Sequence, residues 1–169
     1  LPGLYVEGHW NPQTGWGDPQ FVAYPGLIGT PWQNPPTLVP TTSLPNGYII
    51  DFPNWVDELP LKIGRIQVYW DGPPGEAGLV ELLGFDGSDI VPGQVVGGGP
   101  IDVATGGGVY WDFEIRPNPD WEQFVVALPD NASLRQIDIH TLSLPEPASV
   151  AVLGAGGLAL LARRRRQMR

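Results

Sequence analysis

The sequence predicts an all-β protein, an antiparallel β-sandwich of jelly-roll-like type, followed by a single short C-terminal apolar helix. The chain of 169 residues contains 23 Gly and 20 Pro, which would interrupt helices through most of its length. Seven Trp, five Tyr and five Phe supply the large apolar side chains that disordered chains lack. Several short stretches alternate apolar and polar residues, which is typical of antiparallel sheets with one solvated face.

Six strands follow from this alternation. In the second, Ile66, Val68 and Trp70 share one side, and in the fourth Trp111 and Phe113 belong to an apolar row that alternates with charged residues. Because successive side chains of a strand point to opposite faces, such rows predict one buried face per strand. The predicted strands cover residues 48–52, 63–70, 79–85, 109–116, 123–128 and 134–142.

Turn-forming residues separate these strands. Clusters of Gly, Pro, Asn and Asp occupy residues 71–75, 86–89, 97–99, 106–108 and 117–120. Residues 1–47 are rich in Pro, Gly, Asn, Gln and Thr, which predicts a loop-rich segment with a few short strands.

Charge divides the chain into an acidic body and a basic tail. Residues 1–144 contain four Lys or Arg against 17 Asp or Glu, a net charge of −13, whereas residues 145–169 carry a net charge of +4. An acidic body repels a phosphate backbone, so no nucleic-acid partner is expected. The chain has no Cys, which excludes a disulfide scaffold and a thiolate metal site. We therefore expect an extracytoplasmic β-sandwich domain over residues 1–144 and a separate element over 145–169.

The tail combines three elements in a fixed order. Pro145, Glu146 and Pro147 precede an uncharged stretch over residues 148–162, which ends in four consecutive arginines. As a helix the stretch would span roughly 22 Å, less than the roughly 30 Å hydrocarbon core, but arginine side chains reach the headgroups and extend the span. The positive-inside rule keeps the arginines cytoplasmic and the body outside.

This order resembles the PEP-CTERM sorting signal of bacterial exosortase substrates, over residues 145–169 only. The resemblance implies that Pro145, Glu146 and Pro147 are the motif read by an exosortase-type processing enzyme, and that residues 150–162 are a transient inner-membrane anchor. It further implies an exported bacterial protein that is trimmed near the motif and becomes a cell-surface or extracellular-matrix component. The stop-transfer block would consist of Arg163, Arg164, Arg165 and Arg166.

Three features of the termini leave alternatives open. The extra residues Gln167, Met168 and Arg169 depart slightly from the sorting-signal pattern. The tail would also fit a permanent anchor without processing, or an unrelated apolar segment. The chain starts at Leu1 without a basic and apolar leader, so an export signal was removed or the sequence is a fragment.

Few residues point to catalysis. His140 lies near Asp138 on the polar side of a strand, His9 is expected in a loop, and no nucleophile-elbow pattern occurs. Asp112 and Glu114 share a strand face about 7 Å apart, within the carboxylate separation of glycosidases. A solvated strand face explains this pair without catalysis, so no catalytic residue and no enzyme activity are predicted.

Aspartates in the predicted turns are candidate calcium ligands, because Ca²⁺ takes six to eight oxygen ligands. The segment 86–89 lacks the EF-hand pattern and its closing Glu. Turn formation is the simpler explanation, so neither a metal nor a cofactor is expected. The oxygen donors considered are Asp71, Asp86, Ser88, Asp89 and Asp102.

The sequence thus favours an exported, non-enzymatic surface or matrix protein. The alternative is a carbohydrate-binding module or a glycan-active protein of the bacterial surface. Trp10, Trp16 and Trp32 are the candidate platform on which an extracellular polysaccharide would stack, because indole rings present large rigid faces. Burial in the core or anchoring of loops is the competing interpretation of these tryptophans.

Overall fold

The fold is known from a computed structural model, which describes residues 4–17, 20–23, 30–31, 36–53, 55–56 and 59–144. These residues form strands, turns and bends, and no helix. The strands are β1 (Leu4–Asn11), β2 (Gly15–Trp16), β3 (Gln20–Ala23), β4 (Thr30–Pro31), β5 (Thr37–Thr41), β6 (Gly47–Pro53), β7 (Trp55–Val56), β8 (Leu61–Asp71), β9 (Gly78–Asp86), β10 (Asp89–Pro100), β11 (Gly107–Ile115), β12 (Trp121–Ala127) and β13 (Ser133–Leu144).

Eleven strands form one nearly closed antiparallel sheet. Their order is β2-β1-β13-β8-β11-β10-β9-β12-β6-β5, with β3 also paired to β1, while β4 and β7 form a separate two-stranded sheet. The all-β class predicted from the sequence is therefore confirmed.

Four strand pairings are nested within one another along the chain. Strand β1 pairs with β13, β6 with β12, β8 with β11, and β9 with β10, all antiparallel. Strand β10 joins the two halves of the sheet, because residues 89–92 pair with β9 and residues 93–100 pair with β11.

The core lies between the inner faces of these two halves. Phe113 of β11 meets Phe124 of β12 edge to face, with ring centroids 5.2 Å apart. Close packing also requires a missing side chain at Gly8, where a Cβ would lie 2.2 Å from the ring of Phe52 in β6. The largest apolar side chains that are at most 1% exposed are Phe52, Phe113, Phe124, Ile50, Ile66, Ile115, Ile137 and Ile139.

Two features of the fold differ from the sequence prediction. Residues 97–99 lie inside β10 and not in a turn, with a register shift between Val95 and Gly97. Strand β1, with eight residues, is longer than the short strands expected of the first 47 residues. Glycines fit at residues 97–99 because β10 runs there beside the large side chains of Tyr110 and Trp111.

The predicted tail helix, with its sorting motif and arginine block, lies in residues 145–169, outside the described residues. Among the residues that are described, no helix is long and apolar enough to cross a membrane.

Candidate functional site

A buried polar cluster lies at one end of the core. Lys62, Glu122 and Ser143 are fully buried, Thr141 is 1% exposed, and Asn118 is 9% exposed. Charged residues are almost never buried completely unless they are paired or hydrogen-bonded, so a fully buried Lys and a fully buried Glu are unusual in a chain of this size. We call these five residues the polar cluster.

Strand alternation places the polar cluster on the inner faces. Lys62 is in phase with the buried Ile66 and Val68 of β8. Glu122 is likewise in phase with Phe124 of β12. Because every second residue of a strand shares a face, these polar side chains must enter the core together with their apolar neighbours. Thr141 and Ser143 continue the inner row of β13, and Asn118 lies in the connection between β11 and β12.

Ser143 brings two nitrogen groups together. The Lys62 Nζ donates a hydrogen bond to Ser143 Oγ over 2.8 Å. The Asn118 Nδ2 donates to the same oxygen over 3.3 Å. The two nitrogens are therefore at most about 6 Å apart, the sum of the two distances.

The Glu122 carboxyl is completely buried. Neither of its oxygens has a hydrogen-bond partner, and its cross-strand neighbours are Phe52 and Gly84. Burial raises the pKa of Glu122 from its ordinary 4.5 to about 8, while the charge of Lys62 opposes the rise. The carboxyl is therefore mostly protonated at neutral pH and can donate as well as accept a proton.

Sequence reasoning missed the polar cluster, although a signal was present. Extending the apolar phase of β8 back by two positions from Gly64 reaches Lys62, and extending that of β12 back from Phe124 reaches Glu122. Polar residues in an apolar phase indicate a buried polar site or a strand end, and these two strands continue beyond the predicted boundaries.

The outer face of β1, β13, β8 and β11 carries a second polar surface. Arg65 binds Asp112 through two hydrogen bonds of 2.6 and 3.0 Å and lies 4.2 Å from the ring centroid of Tyr110. The hydrogen bond to Asp112 raises the pKa of Arg65. A groove of about 400 Å³ lies beside this pair, bordered also by His140 and by Val96 of β10. We call this the outer polar face.

Both histidines belong to this face, in reciprocal pairs. His9 lies in β1, not in a loop as predicted, and hydrogen-bonds Asp138 of β13. His140 of β13 lies 3.7 Å from Glu7 of β1. The pairs join β1 to β13 on this face.

The other acidic candidates also have local explanations. Asp112 pairs with Arg65, and Glu114 lies 3.5 Å from Arg116. Among the aspartates considered as calcium ligands, Asp71 pairs with Arg135 at 3.3 Å. Asp86 and Asp89 are exposed at the ends of the β9–β10 turn, as is Ser88 within it, and Asp102 is exposed after β10. Within the described ranges, no three His, Cys, Asp or Glu side chains are grouped so as to hold a metal ion.

Two of the three tryptophan candidates lie within the described residues. Trp10 and Trp16 face each other across β1 and β2 and pack against the core. Trp16 also lies 6.0 Å from the ring centroid of Phe52. Trp32, like the tail residues 145–169, lies outside the described residues.

Comparison with protein-family models, curated proteins and solved structures finds no match. Function must therefore be argued from the chain itself.

Proposed function

We propose that this chain is an exported bacterial surface or extracellular-matrix protein, non-enzymatic, which is sorted and processed through residues 145–169. The single observation that carries the proposal is the order of the tail elements: Pro145-Glu146-Pro147, an uncharged apolar stretch, and a terminal arginine cluster. An exosortase-type enzyme would read the motif, and the inner membrane would hold the precursor until it is cleaved.

We further propose that the body is a jelly-roll β-sandwich. The nesting of β1–β13, β6–β12, β8–β11 and β9–β10 supports this assignment. These four pairs contain eight strands, and the two Greek keys of a jelly roll pair eight strands in the same nested order.

The test uses the full chain fused to an export signal, produced in hosts with and without the processing enzyme. We expect intact-mass analysis to find loss of most of residues 145–169 only in the host that has the enzyme. Replacing Pro145, Glu146 and Pro147 by Ala should abolish cleavage while the apolar stretch keeps the protein in the membrane fraction. Retention of the tail in both hosts, with the protein in the cytosol, would refute the proposal.

The second candidate function is carbohydrate binding, and the outer polar face favours it. This face holds planar donors and acceptors in fixed positions, with Arg65 fixed between Asp112 and Tyr110 beside the groove. Vicinal sugar hydroxyls match such paired groups. A glycan array with the wild-type chain and Arg65→Ala would test it: binding that the substitution leaves unchanged, or no binding to any glycan, would exclude this face.

A further inference from the structure

We propose that Lys62 and Asn118 become joined by an intramolecular isopeptide bond, formed in the folded protein with Glu122 as the proton-transfer group. This inference goes beyond the proposed function and does not depend on it. It assigns a covalent role to the polar cluster, which neither the sorting signal nor the outer polar face explains.

Position is the first argument. The Lys62 amine and the Asn118 side-chain amide both bind Ser143 Oγ, which limits their separation to about 6 Å. A rotation of the long Lys62 side chain away from Ser143 can bring its Nζ toward the 3–3.5 Å from the amide carbon at which attack begins. Holding both groups in one buried site replaces a bimolecular encounter by an intramolecular one.

The carboxyl of Glu122 is the second argument. A buried carboxyl with no hydrogen-bond partner is costly, and such groups in native proteins call for an explanation. Glu122 lies four residues after Asn118, on the inner face of β12, the strand that follows the Asn118 connection. A general acid and base must be able to hold and release a proton near neutral pH, and burial gives Glu122 that property.

The reaction requires no further reagent. In the fraction of molecules in which Glu122 is ionised, proton transfer from the Lys62 ammonium to the carboxylate gives a neutral amine and a neutral acid, which a low-dielectric site favours over two charges. The Nζ lone pair attacks Asn118 Cγ, and the carbonyl electrons move to Oδ1. Glu122, now a neutral acid, delivers its proton to Nδ2, and the resulting carboxylate accepts a proton from Nζ. The Cγ–Nδ2 bond then breaks, its electron pair leaves with the nitrogen, and one ammonia is released for each new Cγ–Nζ amide bond.

The bond would connect the start of β8 to the β11–β12 connection, enclosing strands β8, β9, β10 and β11 in a covalent ring. The sequence contains no Cys, so no disulfide can supply such a link. A secreted protein gains resistance to unfolding from a cross-link that closes a long loop.

The experiment is intact-mass analysis of the purified full chain, denatured before measurement. We expect the wild-type mass to be lower than the sequence mass by one ammonia, and Lys62→Met and Glu122→Gln to have their full masses. Glu114→Gln, a surface carboxyl outside the polar cluster, should retain the loss. Because an imide at Asn46-Gly47 would also release ammonia, tandem mass spectrometry must find a branched peptide containing Lys62 and Asn118.

The proposal would be overturned if the folded wild-type protein had the full mass of its sequence. A loss of ammonia without the branched peptide would also overturn it. If Glu122→Gln forms the bond as fast as the wild type, Glu122 has no part in it. If Lys62→Met does not fold, a time course after refolding the freshly purified wild type decides the question. The branched peptide should accumulate in buffer and remain absent in denaturant.

Discussion

Replacing Glu122 by Gln should remove the main pH dependence of folding between pH 4.5 and 8. Burial raises the pKa of the Glu122 carboxyl from 4.5 in the unfolded chain to about 8 in the folded protein. The folded state therefore holds its proton more tightly than the unfolded state. Stability is highest below pH 4.5 and falls as the pH rises to about 8, above which the carboxylate is charged in both states.

The magnitude follows from linkage. Each pH unit in this interval weakens folding by about 1.4 kcal/mol, which gives about 5 kcal/mol over the whole interval. Gln has nearly the same shape as Glu but does not titrate, so Glu122→Gln should lack this slope. The direction is the same with or without a Lys62–Asn118 bond, because burial is the largest cause of the pKa rise.

The assay is denaturant unfolding of both proteins at a series of pH values from 4 to 9, followed by tryptophan fluorescence. The change of the unfolding free energy with pH is compared between the two proteins, and not its absolute value, because Glu122→Gln should also lack the cross-link. Asp89→Asn, at an exposed turn position, is a control that should keep the wild-type slope. If the unfolding free energies of the wild type and of Glu122→Gln change with pH in parallel, the assignment of Glu122 as a buried protonated acid is refuted.

Three further substitutions test packing, backbone and surface. Phe113→Ala should lower the unfolding free energy by about 3–5 kcal/mol in a denaturant titration, and an unchanged midpoint would contradict its core position. Gly106→Ala should lower the melting temperature more than Gly87→Ala. Both glycines have a positive φ, but only at Gly106 would a Cβ meet the backbone, 1.9 Å from the Trp70 carbonyl oxygen. Arg65→Ala should change stability by less than about 1 kcal/mol, because its ion pair is exposed, and a larger loss would indicate a structural role.

Periodicity predicted the fold class because six strands have one wet and one dry face. Residues 66–70 and 109–115 alternate so regularly that their inner rows follow from the sequence alone. Strand β10 has no such pattern: Val91 is its one buried hydrophobic residue, while Ile90, Val95 and Val96 are exposed. Because β10 passes from one half of the sheet to the other, its pairing depends on both neighbours, which lie elsewhere in the sequence.

The functional residues were harder to predict than the fold. His9 was assigned to a loop because its partner, Asp138, lies 129 residues further along the chain. The polar cluster likewise combines residues from β8, β12 and β13 and from the connection before β12. No local spacing connects Lys62 with Ser143, so only the three-dimensional pairing of β8 and β13 brings them together.

The pairing of β1 with β13 has a consequence for biogenesis. The first long strand of the body pairs with β2 and β3 along one edge, but its neighbour along the other edge is the last strand, which is not available until residues 133–144 have been synthesised. Contacts between such distant segments slow folding, since the entropy of closing the loop is lost before the contacts form. A nascent polypeptide of this topology stays incompletely folded until its final strand is available, which leaves a long interval in which a translocation channel or a chaperone can capture it.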